Sequence, residues 1–158
     1  MAVNHLAPYL LTRLLLPTLR ASAPSRVVNV SSAGQRSIEF DDVMLHNGYS
    51  GVRAYCQSKL AQILFTSDLA DELRVAGVTV NALHPATFMP TKIVPSPTST
   101  LKEGVDATVR LVADPALDGV SGQYFDGQRE TRASGQAYDK VARQKLRALS
   151  GELTGLEK

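Results

Sequence analysis

Tyr55 and Lys59 stand four residues apart in the stretch AYCQSKL. On a helix that spacing puts both side chains on one face, about 5–6 Å apart at Cβ. A free tyrosine ionises near pH ~10 and is a poor base in neutral water. An ammonium held about 5 Å away, at an effective dielectric of about 20, favours the phenolate by roughly 3 kcal/mol as an upper bound. A pair so arranged can exchange a proton with a substrate oxygen near neutral pH. The same spacing arises by chance on many surface helices, and it is the neighbouring residues that distinguish this pair. Ser31 and Ser32 end the apolar run Val27-Val28-Asn29-Val30 and present hydroxyls at a strand end. Asn4 lies in a leucine-rich, proline-interrupted helix, where a polar side chain is costly unless it has a task.

These residues need elements to hold them. Leu6, Leu10, Leu11, Leu14 and Leu15 recur at three- and four-residue steps and predict a helix with one broad apolar face, kinked or ended at Pro8 and Pro17, to about Leu19 or Arg20. Val27 to Val30 reads as a buried strand. Residues 35–53 form a long loop with a turn of helix near Asp41 to Leu45. A helix over 54–75 carries Leu60, Ile63, Leu64, Ala70 and Leu73 as its stripe, and Gly77 ends it. Val78 to Leu83 predicts a strand closed by His84-Pro85, and 86–100 a flexible loop rich in Pro, Ser and Thr. A helix from Leu101 to Ala113 with Val105, Val109 and Val112 as apolar positions follows, then a short strand at 122–125. An amphipathic helix from Ala137 to Leu149 ends the order, with a frayed tail after Gly151. Strands alternating with helices predict an α/β fold with a parallel sheet in one domain, 1–158.

The stretches VNHLAPYLLTRLLLPTL, SRVVNVSSAG, AYCQSKLAQILFTSDLADEL and GVTVNALHP, in that order, resemble the C-terminal half of a short-chain dehydrogenase/reductase. The 23-residue step from Ser32 to Tyr55, with AYCQSK and the closing RQKLRALSGELTGL, looks most like the retinol-dehydrogenase-like branch. The resemblance implies a partial Rossmann-type, doubly wound parallel sheet that lacks its N-terminal βαβ units. It implies interconversion of an alcohol and a carbonyl with NAD or NADP. Tyr55 would be the general acid/base, Lys59 its electrostatic partner and a holder of the nicotinamide ribose, and Ser32 a donor to the substrate oxygen. Asn4 would sustain a water-linked proton path to Lys59. After the second strand the match is imperfect. Pro85 is followed by Ala86 where the family usually has glycine, and the threonine that touches the nicotinamide is Thr87 or Thr91. His84 is expected to be structural, and Cys56 to point off the catalytic face.

The glycine-rich turn that would cradle a dinucleotide's phosphates does not occur in the sequence. The expectation is therefore an incomplete domain that binds NAD(P) weakly or not at all, with an unpaired apolar strand edge that favours oligomers. The alternative is a non-catalytic fragment that serves as a dimerisation or interaction module.

The remaining composition narrows the classes. With 158 residues, 44% hydrophobic and 20% charged, the chain can bury a core without staples. A net charge of +2 with no basic block interleaved with aromatics argues against nucleic acid. Cys56 is the single cysteine, so a disulfide within the chain and a thiolate metal cage are both excluded; no metal is expected, and a reducing, cytoplasmic setting is. Arg13 interrupts the N-terminal leucines and argues against a secretory signal, and no run approaches the roughly 20 apolar residues of a membrane span. Asn29-Val30-Ser31 matches a glycosylation sequon but lies within a strand, which argues against its use.

Overall fold

The first turn of the chain is wider than an α-helix. In a computed structural model, which describes residues 1–156, Ala2–Leu6 forms a π-helical turn that runs into α1, Ala7–Ala21. Pro8 explains the widening. It has no N–H to offer the Asn4 carbonyl four residues back, and its ring would clash with that carbonyl in a regular α-turn. Pro17 is accommodated inside α1, so the helix continues through it.

The other elements are β1 (Ser25–Val30), α2 (Gly51–Glu72), β2 (Val78–His84), α3 (Leu101–Ala113), β3 (Tyr124–Asp126), β4 (Arg129–Thr131) and α4 (Lys140–Thr154). Their starts follow local chemistry. Ser50 caps α2 by accepting from the Arg53 amide, Thr100 and Glu103 form a reciprocal capping box on α3, and Asp139 accepts from Val141 and Ala142 at the start of α4.

The sheet order is β1-β2-β3-β4, with β1 to β3 parallel and β4 antiparallel to β3. One face packs on α1, α2 and α4. There Val78 and Val80 meet Tyr9, Leu16, Phe65 and Leu69, while Ala82 and Tyr124 meet Leu60, Leu64 and Leu146. The other face packs on α3, where Leu83 and Phe125 meet Ala107 and Leu111. Helices on both faces of a mostly parallel sheet give the Rossmann-like α/β class, in partial form. Acidic residues near the end of α2 pin the neighbouring helices: Arg147 grips Asp68 with two bonds of 2.7 Å, Arg143 reaches Asp71 at 3.0 Å, and Arg13 reaches Glu72 at 2.5 Å.

Several expectations are corrected. The leucine face of α1 is not its packing face: Leu11, Leu14 and Leu15 are exposed, and Tyr9 and Leu16 are buried instead. Val105, Val109 and Val112 of α3 are likewise exposed, because Gly104, Ala107 and Leu111 form its contact side. β1 is an edge strand, so only Asn29 within it is fully buried. α2 begins at Gly51 rather than 54 and ends at Glu72; Gly77 instead adopts φ +67° at the entry to β2. Within the 35–53 loop the helical turn is a 3-10 turn at Phe40–Asp42. The short third strand starts at Tyr124, after a turn in which Gly122 has φ +80°. β4 escaped prediction because Arg129, Glu130 and Thr131 are polar and exposed. α4 starts at Lys140 and does not fray at Gly151, which is buried; it stops at Gly155, whose left-handed conformation lets the amide of Leu156 reach back to Gly151. Residues 157–158 of the expected frayed tail lie outside the described residues. No described helix is long and apolar enough to cross a membrane, and no group of His, Cys, Asp or Glu among the described residues could hold a metal.

Candidate active site

The C-terminal end of β1 and the N-terminal half of α2 bring together three of the predicted residues. Ser31 ties the two elements by donating its hydroxyl to the carbonyl of Lys59 at 2.7 Å. Lys59 answers from the other side, donating Nζ to the carbonyl of Val30 at 2.8 Å. That clamp holds the ammonium 5.7 Å from the centre of the Tyr55 ring, as helical spacing predicts for side chains four apart. Burial lowers the Lys59 pKa from its ordinary value. Tyr55 itself is 44% exposed, so its phenol opens to a ligand.

Ser32 is buried beside this pair. Its hydroxyl accepts from the amide of Gly34 at 3.1 Å, and its carbonyl accepts from Gln35 at 3.0 Å and from the Tyr124 hydroxyl at 3.1 Å. Burial first, then the charge of Asp126, pushes Tyr124 up to about 12, which keeps it a neutral donor. Gly34 marks the point where the site converges. A methyl group there would meet Cys56 Sγ at 3.4 Å, Ser32 Oγ at 3.5 Å and Tyr55 Cε1 at 3.6 Å. Ser32 and Tyr55 therefore flank one small space. Cys56 borders it too, which corrects the expectation that this thiol points away.

The Asn4 side chain finds its partner on α2. Its carboxamide donates to the hydroxyl of Ser58 at 3.0 Å, and Ser58 donates to the carbonyl of Tyr55 at 2.7 Å. Asn4 thus reaches the backbone of Tyr55 through Ser58, and its side chain does not bond Lys59. Sequence reasoning missed Ser58. The available signal was a small hydroxyl residue one position before Lys59 on a largely apolar helix.

Pro85 and Thr87 follow β2 and line a separate cleft of about 360 Å3 with Ser99, Glu103, Asp106 and Asp126. Thr87 Oγ1 lies 2.9 Å from His84 Nε2. Burial lowers the pKa of His84, while the Asp126 carboxylate pulls it back up. That contact ties the end of β2 to the loop that follows it. Asn29 is buried and donates to Thr66 at 2.8 Å, so the sequon is inaccessible. A larger cleft of about 920 Å3 lies at the opposite, N-terminal rim of the strands, among Arg26, Arg74 and Arg143, and holds none of the predicted site residues.

The family model described as short chain dehydrogenase matches residues 1–101. Human retinol dehydrogenase 13 is 41% identical over 177 aligned residues, covering 98% of this chain and 53% of that protein. Human retinol dehydrogenase 14 is 38% identical, covering 99% of this chain and 52% of that protein. Among solved structures, an uncharacterised protein of Mycobacterium paratuberculosis superposes with a TM-score of 0.73 at 31% identity, over 96% of this chain and 57% of that one. An NADPH-bound carbonyl reductase from chicken fatty liver shares the fold, with a TM-score of 0.63 at 24% identity over 82% of this chain and 52% of that one. The chain spans about half the length of the curated relatives it matches. It belongs to the short-chain dehydrogenase family and is retinol-dehydrogenase-like within it.

Proposed function

We propose that the protein to which this sequence belongs is an NAD(P)-dependent oxidoreductase that interconverts an alcohol and a carbonyl, with residues 1–158 as the C-terminal portion of one Rossmann-type domain. The observation that carries the reading is the convergence of Tyr55, Ser32 and the clamped Lys59 ammonium on one strand rim. The single free thiol of Cys56 fits a reducing, cytoplasmic setting.

The residues present fit one end of the cofactor. The hydroxyl of the half-exposed Tyr55 and the Lys59 ammonium offer donors suited to a nicotinamide ribose, with Pro85 and Thr87 on the next strand end. The phosphate end has no glycine-rich cradle in this sequence. When bound, the nicotinamide accepts or supplies the hydride. The chain's own residues handle the proton. Ser32 holds the substrate oxygen by a hydrogen bond. Tyr55 gives that oxygen a proton during reduction and takes one during oxidation. The Lys59 ammonium, fixed by Val30, favours the negative charge that a departing proton leaves on the phenolic oxygen. Asn4, donating to Ser58, supports a water-linked proton path to Lys59.

The test joins a glycine-rich N-terminal half of a relative to residue 1 and assays aldehyde reduction with NADH and NADPH. Turnover is expected, and Tyr55→Phe is expected to lower it by about 10²–10⁴. Unchanged turnover in Tyr55→Phe would remove Tyr55 from the acid/base role. The chain alone is expected to bind NAD(P)H weakly or not at all; micromolar affinity by calorimetry would contradict that.

The free edge of β1 and the exposed Leu11 and Leu14 favour a second reading, in which the chain by itself acts as a dimerisation or interaction module. An inactive fused protein, with the isolated chain forming a defined dimer, would select it.

A further inference from the structure

His5 is a buried imidazole that the proton-transfer scheme leaves unused. It is 1% exposed, next in sequence to Asn4 and within the same π-turn. Its ring sits 6.0 Å from that of Tyr9 and 6.2 Å from that of Phe65. Its Nε2 lies 2.8 Å from the hydroxyl of Ser150, which is buried on α4 and lies 145 residues away in the sequence. Its Nδ1 is buried with no partner in the structure. A single π-turn is an uncommon departure from the regular helix ladder, and here it is closed by the His5 and Leu6 amides on the Met1 carbonyl. His5 is a contact well suited to hold this one, because the ring is packed on two sides and tethered at one end.

We infer that His5 is a positioning residue: its bond to Ser150 lets the C-terminal helix α4 fix the π-turn and so aim Asn4 at Ser58 beneath Tyr55. Polar side chains link the two ends. Ser150 bonds His5, the neighbouring Asn4 donates to Ser58, and Ser58 donates to the carbonyl of Tyr55. Each polar member constrains the next, as supporting shells do around reactive groups. The neutral ring is the form that suits this pocket. Asp68 is already held by Arg147, and Arg143 lines the same pocket. A further positive charge on His5 would gain no free carboxylate.

The importance of the tether to chemistry rests on the proposed role of Asn4, but its geometry does not, and it can be tested on the 158-residue chain without any turnover. Nuclear magnetic resonance of the labelled chain reads the contact between the Asn4 carboxamide and the Ser58 β-protons. The contact is expected in the wild type and in His5→Gln, whose amide can occupy the place of Nε2. It is expected to weaken roughly three- to tenfold in Ser150→Ala and in His5→Phe, as loss of one buried hydrogen bond allows. An unchanged contact in folded Ser150→Ala or His5→Phe, even with a lower melting temperature, would overturn the inference and leave His5 as packing alone. Should both variants fail to fold, the wild-type ring decides. A neutral imidazole at pH 7 with its Nε2 engaged by Ser150 supports the tether, and a charged or unengaged ring overturns it. Failure of turnover in the fused enzyme would instead count against the acid/base scheme and leave this measurement standing.

Discussion

Lys59 spends its hydrogen bond on Val30, not on Tyr55. The 2.8 Å bond from Nζ to the Val30 carbonyl fixes the ammonium 5.7 Å from the phenol ring, so the two side chains interact through charge rather than by a shared proton. A clamped charge acts with little reorganisation, which is what electrostatic stabilisation of a developing anion requires.

Lys59→Ala in the fused enzyme is therefore expected to cut kcat/KM by about 10²-fold or more while changing stability by less than ~1 kcal/mol. Val30 sits at an edge, so water can replace the lost donor to its carbonyl. Lys59→Arg is not expected to restore activity, because the planar guanidinium cannot repeat the point contact at the strand end. Steady-state kinetics beside urea unfolding check this; a stability loss matching the activity loss would show that Lys59 serves only the fold.

Stability should fall in mild acid because of His5. Burial first, then the nearby Met1 ammonium, lowers its pKa from 6.5 to about 4. Between those values the unfolded chain takes up a proton that the folded chain refuses. This contribution is complete above pH ~6.5, declines as the pH falls towards 4 and changes no further below it. The loss across the window is on the order of 3 kcal/mol. Tyr9 on α1, Asp68 on α2, and Arg143 and Arg147 on α4 face the same pocket, and Asp68 accepts from Arg147. Urea unfolding at pH 7 and pH 5 measures the difference, and His5→Phe is expected to flatten it. An equal difference in that variant would assign the acid sensitivity to other groups.

The pairing of Tyr55 with Lys59 was legible in the sequence because four-residue spacing on a helix is close to a geometric guarantee. The strand ends at Val30 and His84 were legible because β-branched runs stop at loop chemistry. The packing of α1 was not. Leucines at helical steps show that a face is apolar but do not say what covers it, and in α1 Tyr9 and Leu16 take the core while Leu11, Leu14 and Leu15 face outward. The same holds for Val105 and Val109 on α3. Ser58 and His5 were missed for another reason. Their partners, Asn4 and Ser150, are 54 and 145 residues distant, and no local pattern encodes such pairings.

The outward leucines and the open side of β1 give the next prediction. Val30 is 45% exposed on a strand with one hydrogen-bonded neighbour, and Leu11 and Leu14 on α1 are 59% and 62% exposed. An apolar edge next to an apolar helix face favours self-association. Sedimentation of the isolated chain is expected to show concentration-dependent species larger than a monomer. Val30→Lys with Leu14→Glu is expected to shift them towards monomer. A wild-type chain that stays monomeric and melts sharply and reversibly would contradict this.

Gly34 offers a test that separates folding from chemistry. A methyl group there would make only ordinary contacts of 3.4 to 3.6 Å, and the residue does not adopt a left-handed backbone. Gly34→Ala is therefore expected to fold normally, with a stability change within about 1 kcal/mol, since alanine also restrains the unfolded chain. Yet the new methyl would fill the space that Ser32 Oγ and Tyr55 Cε1 both border. If a substrate oxygen must reach both hydroxyls, that space is where it enters, and kcat/KM in the fused enzyme should fall about tenfold or more for lack of the aligned approach. Larger substituents at the carbonyl should suffer more than a small aldehyde, because they compete with the methyl for the same volume. A Gly34→Ala enzyme with full activity towards bulky and small substrates alike would place the reacting oxygen elsewhere and would dissociate Ser32 from Tyr55 in the mechanism.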